Sequence, residues 1–225
     1  MIVSRTMVER WLKIVFFALV VRPIVLFVIG LDIRNRARLP KAGPAIIAAN
    51  HNSHLDTLVL MSLFPLSRLA GVRPVAAADY FMSSPGFAWF AEVLIGIIPI
   101  ERTAARPAAG AAPKDVLAGA AAALQSGQII ILFPEGTRGE PETLASFKTG
   151  IARLAERCPQ APVVPVFLYG LGKALPKGSW LPVPFFCDVL IGEALAWPGS
   201  RPQLMDQYKA AMTNLAAEGS FPPWE

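Results

Sequence analysis

The chain has 225 residues, 54% of them hydrophobic and 16% charged, with a formal net charge of +5. A mean hydropathy of +0.47 excludes an intrinsically disordered chain, and two cysteines, Cys158 and Cys187, are too few to staple a protein of this size. Folding can remove roughly 70% of the extended surface from water, enough for one core.

The charge is unevenly placed. Residues 1–41 carry eight basic side chains against Glu9 and Asp32, a net of +6, whereas residues 42–225 carry thirteen basic and fourteen acidic ones, a net of −1. The basic groups surround the run 14–31, IVFFALVVRPIVLFVIGL. Such neighbours point to an anionic lipid surface and away from nucleic acid. A spanning helix needs about 20 apolar residues, but Arg22 and Pro23 interrupt this run at its middle, where a charge is costly and a helix kinks. The reading preferred is two short apolar helices lying in the cytoplasmic leaflet with arginines at the headgroups. A single span and a soluble helical pair are the alternatives. No small-residue cleavage site follows, which argues against a signal peptide. The expected division is a membrane-associating segment, 1–41, and an α/β domain, 42–225, at the cytoplasmic face of the inner or plasma membrane. Two isolated cysteines, expected to be reduced, agree with that side.

After Pro40, short apolar runs alternate with helical stretches. Strands are expected over 45–49, 72–78, 97–100, 129–133, 163–169 and 188–191, and helices over 55–63, 87–94, 115–125, 148–157 and 202–217. This alternation predicts an α/β fold with a largely parallel central sheet flanked by helices. Residues 103–113, rich in Ala, Pro and Gly, read as a loop. The aromatic, Pro-rich stretch 180–186 (WLPVPFF) is either a second membrane or acyl-chain contact or an ordinary packed loop.

Polar residues gather just after three of these strands, where open α/β sheets build their sites. Both histidines of the chain, His51 and His54, lie in NHNSHLDT (50–57) together with Asp56. Glu101 and Arg102 follow GIIPI, and Glu135, Gly136, Thr137 and Arg138 follow the strand of FPEGTR. Positions five apart stand about 140° apart on a helix, so His51 meets Asp56 only if it precedes the helix and the carboxylate reaches back. Asp56 then fixes one imidazole nitrogen and leaves the other to take a proton from a hydroxyl. His51, His54 and Asp56 also suggest a metal site by spacing, but no further histidine and no cysteine cluster supports one. Ser53 as nucleophile, with a hydrolase chemistry, is another alternative; the chain shows no clear nucleophile elbow. Gly136 permits close backbone approach, and Thr137 and Arg138 offer donors suited to a phosphate or glycerol. Glu135 is either part of that site or salt-bridged within its loop, and Lys148 reads as solvated surface, with positive potential at the pocket mouth as the alternative.

Four blocks, NHNSHLDT, GIIPIER, FPEGTR with FKTG (147–150), and VVPV (163–166), resemble in order and approximate spacing the motifs of the glycerolipid acyltransferases, over roughly residues 45–170. The best-known members are the 1-acylglycerol-3-phosphate acyltransferases. The resemblance implies the family's α/β acyltransferase fold preceded by a membrane-associating helical pair. It implies His51 and Asp56 as the catalytic pair, and Arg102 with Glu135, Gly136, Thr137 and Arg138 as substrate-binding residues. Asn50 and Ser53 become motif residues that shape the loop. The implied reaction moves a fatty acyl group from acyl-CoA or acyl carrier protein to a lysoglycerolipid hydroxyl, first of all that of 1-acylglycerol-3-phosphate, with no metal or bound cofactor. Implied partners are that acceptor, the thioester donor and a membrane surface. One departure bears on the acceptor: many phosphatidate-forming relatives carry Lys just before an acidic residue where this chain has Ala77-Ala78-Asp79. A lysophospholipid or a lyso-aminolipid is therefore the alternative acceptor.

Overall fold

The computed structural model describes residues 5–81, 84–101, 115–137, 146–176, 179, 181–219 and 221. Its strands are β1 (Ile29–Arg34), β2 (Ala45–Ala49), β3 (Val72–Ala77), β4 (Ile98–Ile100), β5 (Ile129–Leu132), β6 (Val163–Tyr169) and β7 (Phe185–Ile191). They form one sheet in the order β1-β7-β6-β2-β5-β3-β4. All neighbours run parallel except β6 and β7. The central strands β2, β5 and β6 are buried along their whole length. Both of their faces are covered, which is why AIIAA, IIIL and VVPVFLY read as unbroken apolar runs rather than as alternation.

The helices are α1 (Arg5–Phe16), α2 (Arg22–Phe27), α3 (Leu55–Ser62), α4 (Ala78–Phe81), α5 (Pro85–Trp89), α6 (Ala118–Gln125), α7 (Gly150–Arg157), α8 (Leu171–Ala174) and α9 (Arg201–Gly219). One face of the sheet packs Ile47, Ile131, Val166 and Leu168 against Phe17, Val59, Leu60 and Met61. The other packs Ile46, Ile130 and Phe167 against Leu124, Ile151, Leu154, Tyr208 and Met212. The expected loop at 103–113 lies outside the described residues.

Two expectations for the N-terminal segment need correction. First, α1 and α2 are joined by a single π-helical turn, Phe17–Val21, into one helix rather than two. The Arg22 amide bonds the Phe17 carbonyl five residues back, while Pro23 has no amide to give and its ring presses on the preceding turn. Widening that turn lets the helix continue. With α1 and α2 each taken by itself, no helix among the described residues is long and apolar enough to cross a membrane.

Second, residues 29–34 leave the apolar run and become β1, the edge strand beside β7, so the division at 41/42 does not coincide with the edge of the sheet. The basic side chains that were expected at headgroups largely tie this segment down. Arg22 Nη2 donates to Phe64 O at 2.9 Å and Arg36 Nη2 to Leu63 O at 3.1 Å, both at the C-terminal end of α3, where cations suit the helix dipole. Arg38 donates to Ile191 O at 3.1 Å and pairs with Glu193 at 2.7 Å. Lys13, only 5% exposed, places Nζ 2.9 Å from Ile95 O and 3.3 Å from Val72 O. Burial, and then the neighbouring Arg73, bring its ammonium down to about 7.

Candidate active site

The site begins where β2 ends. Asn50 extends the β2–β6 pairing with its side chain: Nδ2 donates to Leu168 O at 2.8 Å and Oδ1 accepts from Leu168 N at 2.7 Å. Asn52 Nδ2 adds a 3.2 Å bond to the same carbonyl. These bonds pin the chain as it turns away from the sheet toward α3. Ser53, 1% exposed, completes the turn, its Oγ accepting from Leu55 N at 3.3 Å and donating to Leu175 O at 3.2 Å. Its hydroxyl is thus bonded to backbone on both sides, as befits a residue that shapes the loop.

Asp56 sits in the first turn of α3 and is fully buried. Its Oδ2 accepts from His51 Nδ1 at 2.9 Å, from Asn52 N at 2.6 Å and from Ser53 N at 2.9 Å. His51 lies before the helix and the carboxylate reaches back to it, the arrangement that the five-residue spacing requires. The imidazole stacks on Phe133 at the end of β5, with ring centroids 4.1 Å apart and planes 20° apart. Nδ1 is held by Asp56, and Nε2 is the nitrogen left for chemistry. His54 is exposed at the residue preceding α3. Among the described residues no group of three or more His, Cys, Asp or Glu side chains gathers as a metal site.

The turn after β5 supplies the second wall. Gly136 has φ +74 and bonds its amide to Phe133 O at 3.0 Å, and Lys148 N closes the turn from outside at 2.8 Å from Pro134 O. A positive φ is what only glycine adopts without strain. Glu135 is 4% exposed, and neither of its carboxylate oxygens makes a hydrogen bond among the described residues. Burial pushes its carboxyl up to about 7; the nearby His51 backbone amide pulls it down in part, and the Asp56 charge pushes it up. The buried Tyr208 hydroxyl feels the same group, its pKa raised by burial and then by the Glu135 charge.

The sign of the resulting pH dependence is fixed. Between pH 4.5 and about 7 the folded chain keeps a proton on Glu135 that the unfolded chain has lost, so stability falls as pH rises through that window. In Glu135→Gln this titration is gone. The unfolding free energy of the wild type relative to the variant should drop by on the order of 3 kcal/mol across the window, read by denaturant unfolding at both ends. A constant difference would contradict a carboxyl whose burial outweighs the pull of the His51 amide.

The structure therefore brings Asn50, His51, Ser53, Asp56 and Glu135 together, with Gly136 and Thr137 continuing the same turn. Arg102 and Arg138 lie outside the described residues. Phe133 and Leu168 belong to the site without having been singled out as site residues from the sequence. An aromatic residue directly before PEGT was the one local hint.

Comparisons with known proteins identify the family of the chain. A chloroplastic 1-acyl-sn-glycerol-3-phosphate acyltransferase of Arabidopsis thaliana is 31% identical over 153 residues, 66% of this chain and 38% of that protein. A lyso-ornithine lipid O-acyltransferase of Rhizobium meliloti is 30% identical over 172 residues, 76% of this chain and 53% of that one. The chain spans less than half the length of the plant and mammalian relatives it matches. Its fold resembles the crystal structure of a 1-acyl-sn-glycerophosphate acyltransferase from Thermotoga maritima, with a TM-score of 0.70 at 22% identity, covering 97% of this chain and 82% of that one. The model of the Acyltransferase family matches residues 30–169, from β1 to the end of β6, and the chain belongs to that family.

Proposed function

We propose that this protein transfers a fatty acyl group from an acyl thioester, acyl-CoA or acyl carrier protein, to the free hydroxyl of a lysoglycerolipid, 1-acylglycerol-3-phosphate before others. The observation that carries this reading is the His51–Asp56 pair, with Nδ1 fixed at 2.9 Å and Nε2 left at the C-terminal end of the sheet. Nε2 takes the acceptor's hydroxyl proton while the oxygen attacks the thioester carbonyl, and Asp56 stabilises the imidazolium that forms. The tetrahedral intermediate collapses with cleavage of the C–S bond, and the thiolate recovers the proton from Nε2. A thiol with a pKa near ~8.5 leaves readily, so the scheme needs no protein nucleophile and no resident cofactor. Arg102, Glu135, Gly136, Thr137 and Arg138 would line the acceptor side.

A second acceptor class has its own support. Ala77 ends β3 and Ala78 opens α4, so no cation is offered there, and a relative named as a lyso-ornithine lipid O-acyltransferase matches 76% of the chain. An acceptor panel decides: labelled thioesters on both carriers, offered with lysophosphatidate, lysophospholipids and lyso-ornithine lipid. His51-dependent acylation of lysophosphatidate supports the first acceptor. Acylation of lyso-ornithine lipid alone would replace it, and no new ester from any acceptor would refute transfer.

The same reading places the enzyme on a membrane surface. Trp11, Leu19, Leu26 and Phe27 of the N-terminal helix are 61–84% exposed, as are Leu181 and Phe186 at 79% and 84%. A groove of about 280 Å³ between Leu26, Phe27, Pro184 and Phe186 joins the two segments into one apolar front; Trp180 lies outside the described residues. Exposed apolar area of this extent marks an interaction surface. Replacing Trp11, Phe27 and Phe186 together by Ser should lower partition onto anionic vesicles about 100-fold or more, measured by co-sedimentation, with the unfolding midpoint unchanged. Wild-type binding by the triple variant would contradict this front.

A further inference from the structure

We propose that Lys148 is the cation that receives the acceptor's anionic headgroup, an inference that rests on the transferase reading above for the identity of the acceptor but not for the existence of the anion site. Lys148 is exposed, and its side chain lies along the turn after β5. It folds back over Gly136, so that a β-carbon at that position would stand 2.5 Å from Nζ, 2.9 Å from Cε and 3.0 Å from Cδ. The missing side chain of Gly136 is the space the lysine stem occupies.

The backbone leading into the residue is pinned. Its own amide is bonded to Pro134 O, and the preceding Phe147 packs edge-on against buried Tyr208 at 4.9 Å. Ordering a lysine stem costs rotamer entropy, and no ion pair among the described residues accounts for it. Arg34, Arg38, Arg157 and Arg201 are each paired with a carboxylate; among the described residues Lys148 has no such partner. Glu135, the buried acid of this turn, keeps a proton up to about pH 7 and makes no hydrogen bond to it.

The position suits an anion. β5 lies between β2 and β3 in the sheet, so the turn that leaves it stands beside the His51 loop, and Phe133 at its start stacks directly on the His51 ring. An ammonium fixed over this turn meets a phosphate or carboxylate on the lipid whose hydroxyl faces Nε2. A compact point charge accepts either group.

Lys148→Gln and Lys148→Arg in the full chain test this by two routes. Titration calorimetry with a short-chain, water-soluble acylglycerol phosphate reads binding without turnover. Steady-state kinetics then compare lysophosphatidate and lyso-ornithine lipid with monoacylglycerol, which carries no charge. Lys148→Gln should weaken binding of the soluble phosphate about tenfold. The KM of the anionic acceptor that is turned over should rise by a similar factor with kcat held within about twofold. Monoacylglycerol and the thioester donor should be unaffected, and Lys148→Arg should recover most of the loss. Equal or undetectable binding by wild type and Lys148→Gln, an equal loss for charged and neutral acceptors, or a rise confined to the donor's KM overturns the assignment. Weakened binding in a protein that acylates nothing upholds the anion site and overturns the transferase reading; transfer with unchanged binding does the reverse.

Discussion

Asp56→Asn should lower kcat for acyl transfer by about 10³–10⁴-fold with little change in KM. Three donors converge on a single oxygen of this residue: His51 Nδ1 and the amides of Asn52 and Ser53. An asparagine oxygen can accept all three, so the loop keeps its shape, and what disappears is the negative charge behind the imidazolium. The three bonds also change from charge-assisted to neutral, so the unfolding free energy should fall by about 1–3 kcal/mol. His51→Ala should cost a similar factor in kcat. The double variant should be no slower than His51→Ala alone, because the two residues act as a unit. Initial rates of thiol release in the presence of acceptor check each of these. Activity of Asp56→Asn within tenfold of wild type would show that the carboxylate only holds the loop.

Asn50→Ala is expected to be the most damaging change to stability among the loop residues, by about 2–4 kcal/mol. The side chain makes two buried bonds, to the nitrogen and the oxygen of Leu168. Leu168 O retains Asn52 Nδ2 at 3.2 Å, but its amide is left without an acceptor inside the sheet. His51 is the next residue, so a shift of the backbone at 50 carries the imidazole with it. Below the unfolding transition, kcat should fall by about 10–100-fold through misplacement of the base. Denaturant unfolding and rates at low temperature separate the two effects. An unaltered midpoint would contradict a structural role for the amide pair.

How much of this was legible in the chain follows from the distance between partners. The His51–Asp56 contact was readable because five residues separate the two groups and a strand-to-helix junction lies between them. The parallel sheet was readable because its buried strands are short apolar runs bounded by polar residues. β1 was not, because IGLDIR continues directly from an apolar helix. Its alternation of Ile29, Leu31 and Ile33 with Gly30, Asp32 and Arg34 was hidden by the longer run, and the length of that run was ascribed to lipid. The basic segment misled for a related reason. Composition gives the charge of Lys13, Arg22, Arg36 and Arg38, but their partners are carbonyls of residues 95, 64, 63 and 191. Leu168 escaped notice in the same way, since it reaches the site only through the fold.

The most direct test of the central claim is thiol release from a labelled acyl thioester by the wild-type protein, followed with and without lysoglycerolipid acceptor and with acid-quenched protein analysed for bound label. Direct attack by the acceptor hydroxyl requires that thiol appear only when acceptor is present, in a one-to-one ratio with new ester, and that the protein carry no acyl group. Thiol release without acceptor, or label covalently held by the protein, would contradict a His51 base acting on the acceptor and would point instead to a hydrolase or an acyl-enzyme route.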